Sequence, residues 1–256
     1  MKKLMMTLAV SLAATALIAD VTSVNVVGYQ NVTAGGQYFS SGATFISIGT
    51  SANAQWRLGD IKGVGMVPVD DNIQFLSADD ANTELTATYV DAETAAAAED
   101  PSLEGWWNMD IDTRLDDQVF VAGTGFLCSF SSVDVVLTYA GEVLDGATTL
   151  DLSGMQYPMV ANFLPMDITL GDLTGVGMVP VDDNIQFLNV DDANTELTAT
   201  YVDAATAIDY GNAGLEGWWN MDLDTRLDDQ TFPAGTAFLG SFASSNVQII
   251  FPDPIP

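Results

Sequence analysis

The sequence contains no histidine, and this absence removes several kinds of functional site. Ser-His-Asp and Cys-His catalysis, zinc sites built on imidazole and histidine-based pH switches all need a side chain that this chain does not have. The only cysteine, Cys128, cannot form an intrachain disulfide, so stability must come from apolar cores or bound ions. We interpret Cys128 as a buried packing residue.

Basic residues are also scarce, with six Lys and Arg against 35 Asp and Glu. Two lysines follow Met1, and an apolar run from Leu4 to Ile18 comes next, with small residues at Ala16 and Ala19. This is the pattern of a bacterial secretory signal peptide, so residues 1–19 are predicted to be removed by cleavage after one of those alanines. The mature chain is then expected to be extracellular, periplasmic or attached to the cell surface.

Long hydrophobic runs are missing from the rest of the chain, so no transmembrane segment is expected after signal cleavage. The mature chain keeps four basic residues against 35 acids, a formal net charge of −31. Such a charge repels polyphosphates and anionic membranes, which argues against nucleic acid as a partner and leaves cations and neutral ligands open. The acidity also fits a simple solubility device.

A long internal repeat determines the expected domain organisation. The segment Asp60–Leu76 matches Asp172–Leu188 without a gap, and the offset of 112 residues continues through the blocks that follow. The same offset places Ser41 and Gly42 on Ser153 and Gly154. We therefore predict two tandem units, at about residues 20–140 and 141–256, and expect segment 141–152 to form the opening strand of the second unit.

Within each copy, short strand signals alternate with Gly, Asp, Asn and Pro turns. Leu85, Ala87 and Tyr89 alternate with threonines, which is the period of two that a half-buried strand requires. The alanine-rich stretch from Asp91 to Asp100 is the one good helical segment. The expected fold class is all-β, with two tandem β-sandwich or partly open β-barrel units that each hold at most one or two short helices.

A family resemblance rests on four short motifs. They are Val26-Val27-Gly28-Tyr29, then Asp-Asn-Ile-Gln-Phe-Leu, a Gly-Trp step and Ala-Gly-Thr-x-Phe-Leu. This pattern resembles secreted β-rich proteins that are numerous in Verrucomicrobia and Lentisphaerae. The group has no assigned activity, so the resemblance implies export and β architecture and supplies no functional residue.

Oxygen side chains at alternate positions suggest a cation site in each copy. Asp80, Asn82 and Glu84 in the first copy recur as Asp192, Asn194 and Glu196 in the second. Calcium binds six to eight such oxygens, and a turn can bring alternate side chains together. The full helix-loop-helix calcium motif is absent, and a turn whose Asp and Asn side chains cap their own backbone explains the same residues.

A second acidic segment surrounds one arginine in each copy. Four carboxylates, at Asp110, Asp112, Asp116 and Asp117, flank Arg114, and the second copy repeats the group around Arg226. The excess negative charge is relieved either by a bound cation or by exposure of the loop to solvent, with one ion pair to the arginine.

Adjacent tryptophans are the most distinctive apolar feature of the repeat. Trp106-Trp107 and Trp218-Trp219 each follow a Glu-Gly pair that starts at Glu104 or Glu216. Neighbours on a strand point to opposite faces, so one indole should enter the core and the other should face outward. An outward indole beside Glu104 or Glu216 is a candidate platform for a sugar ring, and cover for a second packed surface is the alternative.

No group of residues specifies a reaction, so a non-enzymatic structural or adhesive protein is the expected function, with divalent cations, extracellular glycans or envelope proteins as partners. The alternative is a carbohydrate-active enzyme or its accessory carbohydrate-binding domain. Paired carboxylates such as Glu84 and Glu104 would serve glycoside hydrolysis only if they flank one cleft.

Overall fold

The computed structural model describes residues 27–33, 37–48, 54–68, 70–108, 112–132, 134–189, 191–220 and 224–254. The predicted signal peptide, residues 1–19, lies outside the described part of the chain. Among the described residues, no helix is both long enough and apolar enough to cross a membrane.

The first repeat consists of antiparallel strands in two main sheets and one small ribbon. The three-stranded sheet has the order β1 (Val27–Thr33), β11 (Val136–Glu142), β4 (Ile61–Val64). The six-stranded sheet has the order β2 (Tyr38–Gly42), β10 (Gly125–Ser129), β5 (Asn72–Leu76), β6 (Thr83–Val90), β7 (Gly105–Asn108), β8 (Thr113–Arg114). The ribbon pairs β3 (Gln55–Arg57) with β9 (Val119–Val121).

The second repeat has the same topology. Its three-stranded sheet has the order β12 (Thr148–Asp151), β22 (Gln248–Phe251), β15 (Thr174–Val176). Its six-stranded sheet has the order β13 (Met159–Ala161), β21 (Ala237–Ser241), β16 (Asn184–Leu188), β17 (Thr195–Val202), β18 (Gly217–Asn220), β19 (Thr225–Arg226). The ribbon pairs β14 (Ile168–Thr169) with β20 (Thr231–Phe232).

Apolar residues on the inward faces of the two sheets form a core in each repeat. On β5, Ile73 and Phe75 are buried, whereas Asn72, Gln74 and Leu76 are half-buried, so burial alternates with a period of two. The ribbon closes one end of the core, where Trp56 stacks on Phe120 with 4.6 Å between ring centroids. The all-β prediction is confirmed, the units are sandwiches, and none of the described strands closes a barrel.

Among the described residues, each repeat has one short α-helix, and its start follows from the sequence. Helix α1 spans Ala92–Ala97 and helix α2 spans Ala204–Asp209. The carboxylates of Asp91 and Asp203 accept hydrogen bonds from the amides three residues later and so cap the first turns. Helix α1 lies in the segment whose composition predicts helix, and α2 occupies the equivalent position in the second repeat.

The strand pairing corrects one part of the sequence alignment. Gly42 pairs with Gly125 on β10, and Ala161 pairs with the equivalent Ala237 on β21. Gly42 therefore corresponds to Ala161, at an offset of 119, so the prediction that Ser41 and Gly42 match Ser153 and Gly154 was wrong. The first repeat has a longer connection between β2 and β3, and a gapless alignment cannot include it.

The junction between repeats lies within a pair of strands. The predicted boundary between residues 140 and 141 falls inside β11, which ends at Glu142. Strand β12 then opens the second repeat in the segment where such a strand is expected, and it pairs with β22 as β1 pairs with β11. The segment 141–152 thus contributes to both repeats.

The two repeats pack against each other through β2 and β10 on one side and β13 and β21 on the other. The amide of Gly42 donates to the carbonyl oxygen of Gly235 (3.2 Å). In the equivalent contact the amide of Ala161 donates to the carbonyl oxygen of Gly123 (2.9 Å). Because equivalent positions exchange roles, the contact is self-complementary, as in a two-fold dimer. A side chain at Gly42 would overlap the Cβ of Ala161, so glycine allows this close approach.

Candidate functional site

The tryptophan pair lies on β7, next to β6, and its first member belongs to the core. Trp106 is fully buried, pairs with Tyr89 across the strands and donates its indole N–H to the carbonyl oxygen of Ile61 (2.7 Å). In the second repeat, Trp218 donates in the same way to Leu173 (3.0 Å). The large ring and its satisfied N–H make this residue a central packing element.

The second tryptophan points to the other face and is half-buried. Trp107 donates its indole N–H to the carbonyl oxygen of Leu103 (2.8 Å). The guanidinium carbon of Arg114 lies 5.7 Å from the Trp107 ring centroid, a cation–π distance. Trp219 and Arg226 repeat both features. The outward ring is therefore partly covered by an arginine and is not a bare platform.

Arg114 holds the turn before β7 against the edge strand β8. Its guanidinium forms an ion pair with Asp116 and donates to the carbonyl oxygens of Ser102 (2.8 Å) and Glu104 (2.6 Å). The other oxygen of Asp116 accepts the amide of Trp106 (2.9 Å). Gly105 has a φ of +135°, and a side chain there would meet Asp116 and Arg114. Arg226 and Asp228 form the same clamp around Gly217.

This clamp forms one side of a polar cleft of about 540 Å³. The Tyr89 hydroxyl donates to Glu104 Oε1 at 3.5 Å, and Lys62 Nζ lies 3.7 Å from the same oxygen. Burial and the nearby Glu104 carboxylate raise the pKa of Tyr89 to about 12.

The second repeat has an equivalent cleft of about 530 Å³ with one change in its lining. Glu216, Tyr201, Arg226 and Asp228 line it, as their counterparts line the first. Thr174 stands in the place of Lys62, so this cleft lacks the lysine. Burial and the charge of Glu216 raise the pKa of Tyr201 as well. The chain therefore has two similar clefts of different charge.

The candidate calcium residues of the first repeat form a self-capped turn. Asp80 accepts hydrogen bonds from the backbone amide (3.1 Å) and the side-chain amide (2.7 Å) of Asn82. These bonds lower the pKa of Asp80. Glu84 lies on β6 and lines a separate cavity between the repeats.

The second repeat forms the same turn, in which the Asn194 amide donates to Asp192 (3.0 Å), and Glu196 lies on β17. Among the described residues, no three or more Asp, Glu or Cys side chains are arranged to hold a metal ion.

The second acidic segment shows the arginine ion pair that the sequence allowed. Arg114 pairs with Asp116, while Asp112 and Asp117 are exposed to solvent. Asp110 and its counterpart Asp222 lie outside the described residues.

The structure separates the carboxylates that would serve glycoside hydrolysis. Glu84 lies near the start of β6, whereas Glu104 precedes β7, whose first residue pairs with Val90 at the end of β6. A strand rises about 3.3 Å per residue, so the six residues from Glu84 to Val90 span ~20 Å. Hydrolysis needs carboxyl groups about 5 to 9.5 Å apart. Glu84 and Glu104 therefore do not form a catalytic pair.

One buried acid in each repeat went unrecognised in the sequence. Asp71 is fully buried and accepts hydrogen bonds from the amides of Val67 (2.7 Å), Ser131 (2.6 Å) and Ser132 (3.1 Å). Asp183 makes equivalent bonds in the second repeat. Both lie in an Asp-Asp pair, and nothing in the sequence distinguishes the buried acid from its exposed neighbour.

No family model, curated protein or solved structure matches this chain.

Proposed function

We propose that the mature chain is an exported, non-enzymatic binding protein of the cell surface or envelope, and that each repeat offers one polar cleft to a neutral glycan. One observation carries this proposal: the same cleft occurs twice, with the same arginine clamp, tyrosine and glutamate in both repeats. Its role is structural or adhesive, because two glycan-binding sites on one chain can attach the protein to a glycan-covered surface.

The chemistry of the cleft suits a ligand rich in hydroxyl groups. Glu104 and the Tyr89 hydroxyl oxygen supply acceptors, and the Lys62 ammonium supplies donors at the edge of the cleft. An uncharged sugar also avoids the repulsion that a chain of net charge −31 exerts on anions. These features favour neutral glycans over phosphorylated or sulfated ones.

Duplication favours binding over turnover. Two linked sites on one extended ligand raise the overall affinity through effective concentration, whereas a second catalytic site only adds rate. Each cleft needs only modest affinity for the pair to retain a polymer.

A carbohydrate-active enzyme is the second candidate, because Glu104 and Asp116 both line the first cleft. The Asp116 carboxylate, however, already binds Arg114 and the Trp106 amide, so it is not free to act as nucleophile or base. We therefore expect binding without cleavage.

The test is retention of the mature protein, residues 20–256, on a panel of immobilised neutral glycans. Glu104→Gln and Glu216→Gln should each weaken retention, and the double variant should lose it by about tenfold or more. Glu93→Gln, an exposed position on α1, removes the same charge and should bind as the wild type does.

Three outcomes would count against the proposal. They are the absence of any retained neutral glycan, equal weakening by Glu93→Gln, and release of a shortened sugar. The last result would establish the enzymatic alternative.

A further inference from the structure

A second and different cavity lies between the two repeats. It has a volume of about 440 Å³, within the range of small-molecule sites. Its walls are mainly apolar and come from both repeats: Phe75, Leu76 and Phe120 from the first, and Leu150, Met155 and Met159 from the second.

The cavity breaks the approximate two-fold relation between the repeats. Ala54 and Pro158 line it. Their equivalent positions across the two-fold relation carry the larger side chains of Met166 and Phe39. The cavity lies on the side that has the smaller residues, Ala54 and Pro158. Replacing them with the residues found at the equivalent positions would narrow the cavity.

The charged residues that line the cavity are all acidic. Among the described residues that line it, Glu84 and Asp151 are acidic and none is basic. Both acids are exposed, so they lie where solvent reaches the cavity, while Ala122, Leu152 and Val160 are buried. An anion would be repelled by these carboxylates, and an ammonium group would be attracted.

We propose that this cavity binds a small amphipathic cation, with the apolar body between the repeats and the ammonium end near Glu84. The apolar walls contribute the burial of hydrophobic surface, and the carboxylates select the sign of the head group. This site is independent of the polar clefts, so its test and that of glycan binding can fail separately.

The experiment is titration calorimetry of the mature protein with octyltrimethylammonium below its micellar concentration, with octanoate as the anion of matched chain length. One octyltrimethylammonium should bind, and octanoate should not. Glu84→Gln should weaken binding about tenfold, and Glu196→Gln by less than twofold. The two variants remove the same charge at equivalent positions, but only Glu84 lines the cavity. General attraction to an acidic protein would therefore affect both equally.

A filled cavity provides the second arm of the test. Ala54→Met combined with Pro158→Phe introduces the residues found at the equivalent positions, and it should abolish binding while the thermal unfolding midpoint stays the same or rises. The proposal is overturned if the wild type does not bind the cation, if the two glutamate variants weaken binding alike, or if the filled variant binds as the wild type does.

Discussion

The hydroxyl of Ser41 donates a hydrogen bond to the carbonyl oxygen of Gly235 across the contact between the repeats (2.5 Å). The Tyr139 hydroxyl lies 2.5 Å from the same serine oxygen. Because the serine proton is directed to Gly235, the tyrosine must be the donor to Ser41. The equivalent positions in the second repeat are Val160 and Phe251, so the self-complementary contact has one polar and one apolar version of this pair.

This difference leads to a prediction for a double-mutant cycle. Ser41→Val should cost about 1 to 3 kcal/mol of unfolding free energy, because it leaves the buried Tyr139 hydroxyl without its acceptor. Ser41→Val combined with Tyr139→Phe recreates the apolar pair of the second repeat. The double variant should therefore be more stable than the sum of the single changes implies, by about 1 kcal/mol. Urea unfolding of all four proteins measures the coupling, and strict additivity would contradict the proposed hydrogen-bond chain.

Asp71 predicts a specific dependence of stability on pH. Burial tends to raise the pKa of Asp71, but hydrogen bonds from Ser132, Val67 and Ser131 hold it below its usual value of 3.8. A carboxyl whose pKa is lower in the folded state stabilises the fold above its usual pKa and loses that effect as the pH falls below it. The stability gap between the wild type and Asp71→Asn should thus be largest above pH 5 and shrink below about pH 4.

The control for that experiment is Asp70→Asn, because Asp70 is the exposed neighbour and carries the same charge. Urea unfolding between pH 7 and 3 gives the comparison. A gap that is the same at both ends of the range would show that the pKa of Asp71 does not differ between the folded and unfolded protein.

Period-two alternation and turn chemistry predicted much of the fold. Ile73 and Phe75 alternate with polar residues, and Asp91 precedes an alanine-rich stretch, so both the strand and the helix start follow from local signals. The offset of β13 was missed because the longer connection in the first repeat shifts the register without leaving a sequence motif. Local sequence signals indicate which segments form strands and helices, whereas the register of a strand depends on the strand with which it pairs.

The candidate sites were less accessible to sequence reasoning. Alternation correctly separated Trp106 from Trp107, yet the position of Arg114 beside the outer ring depends on the pairing of β7 with β8. Likewise, a buried Asp71 and an exposed Asp70 have the same chemistry in sequence. Only the loops that meet around Asp71 decide which acid is enclosed.

Salt should stabilise the mature protein through screening. Residues 20–256 have a formal net charge of −31, and these like charges repel one another in the compact state. The Debye length falls from about 8 Å at physiological ionic strength to about 3 Å at 1 M. Since Asp80 is already engaged by Asn82, calcium chloride and sodium chloride of equal ionic strength should raise the melting temperature equally. A larger rise with calcium that disappears in Asp80→Asn with Asp192→Asn would instead establish the calcium sites.

The two tryptophans of a pair should respond very differently to truncation. Trp106→Ala removes a fully buried ring and should cost about 3 to 5 kcal/mol. Trp107→Ala removes one hydrogen bond to Leu103 and one contact with Arg114, which together contribute about 1 to 2 kcal/mol. The Trp218 and Trp219 variants are internal replicates, because the second repeat has the same contacts.

Glycan retention shows whether the outer tryptophan ring binds the sugar directly or only packs against Arg114. If the Trp107 indole contacts the sugar, Trp107→Ala should lower retention by about tenfold or more, whereas Trp107→Phe keeps a flat face and should retain part of it. If the ring only positions Arg114, both variants should loosen the cleft alike, because each lacks the indole N–H that Leu103 accepts. Unfolding curves of the same proteins show whether lost retention reflects lost folding. Equal retention by Trp107→Ala and the wild type would remove the indole from the glycan site and leave Lys62, Tyr89 and Glu104, which line the cleft, as the contacts to test.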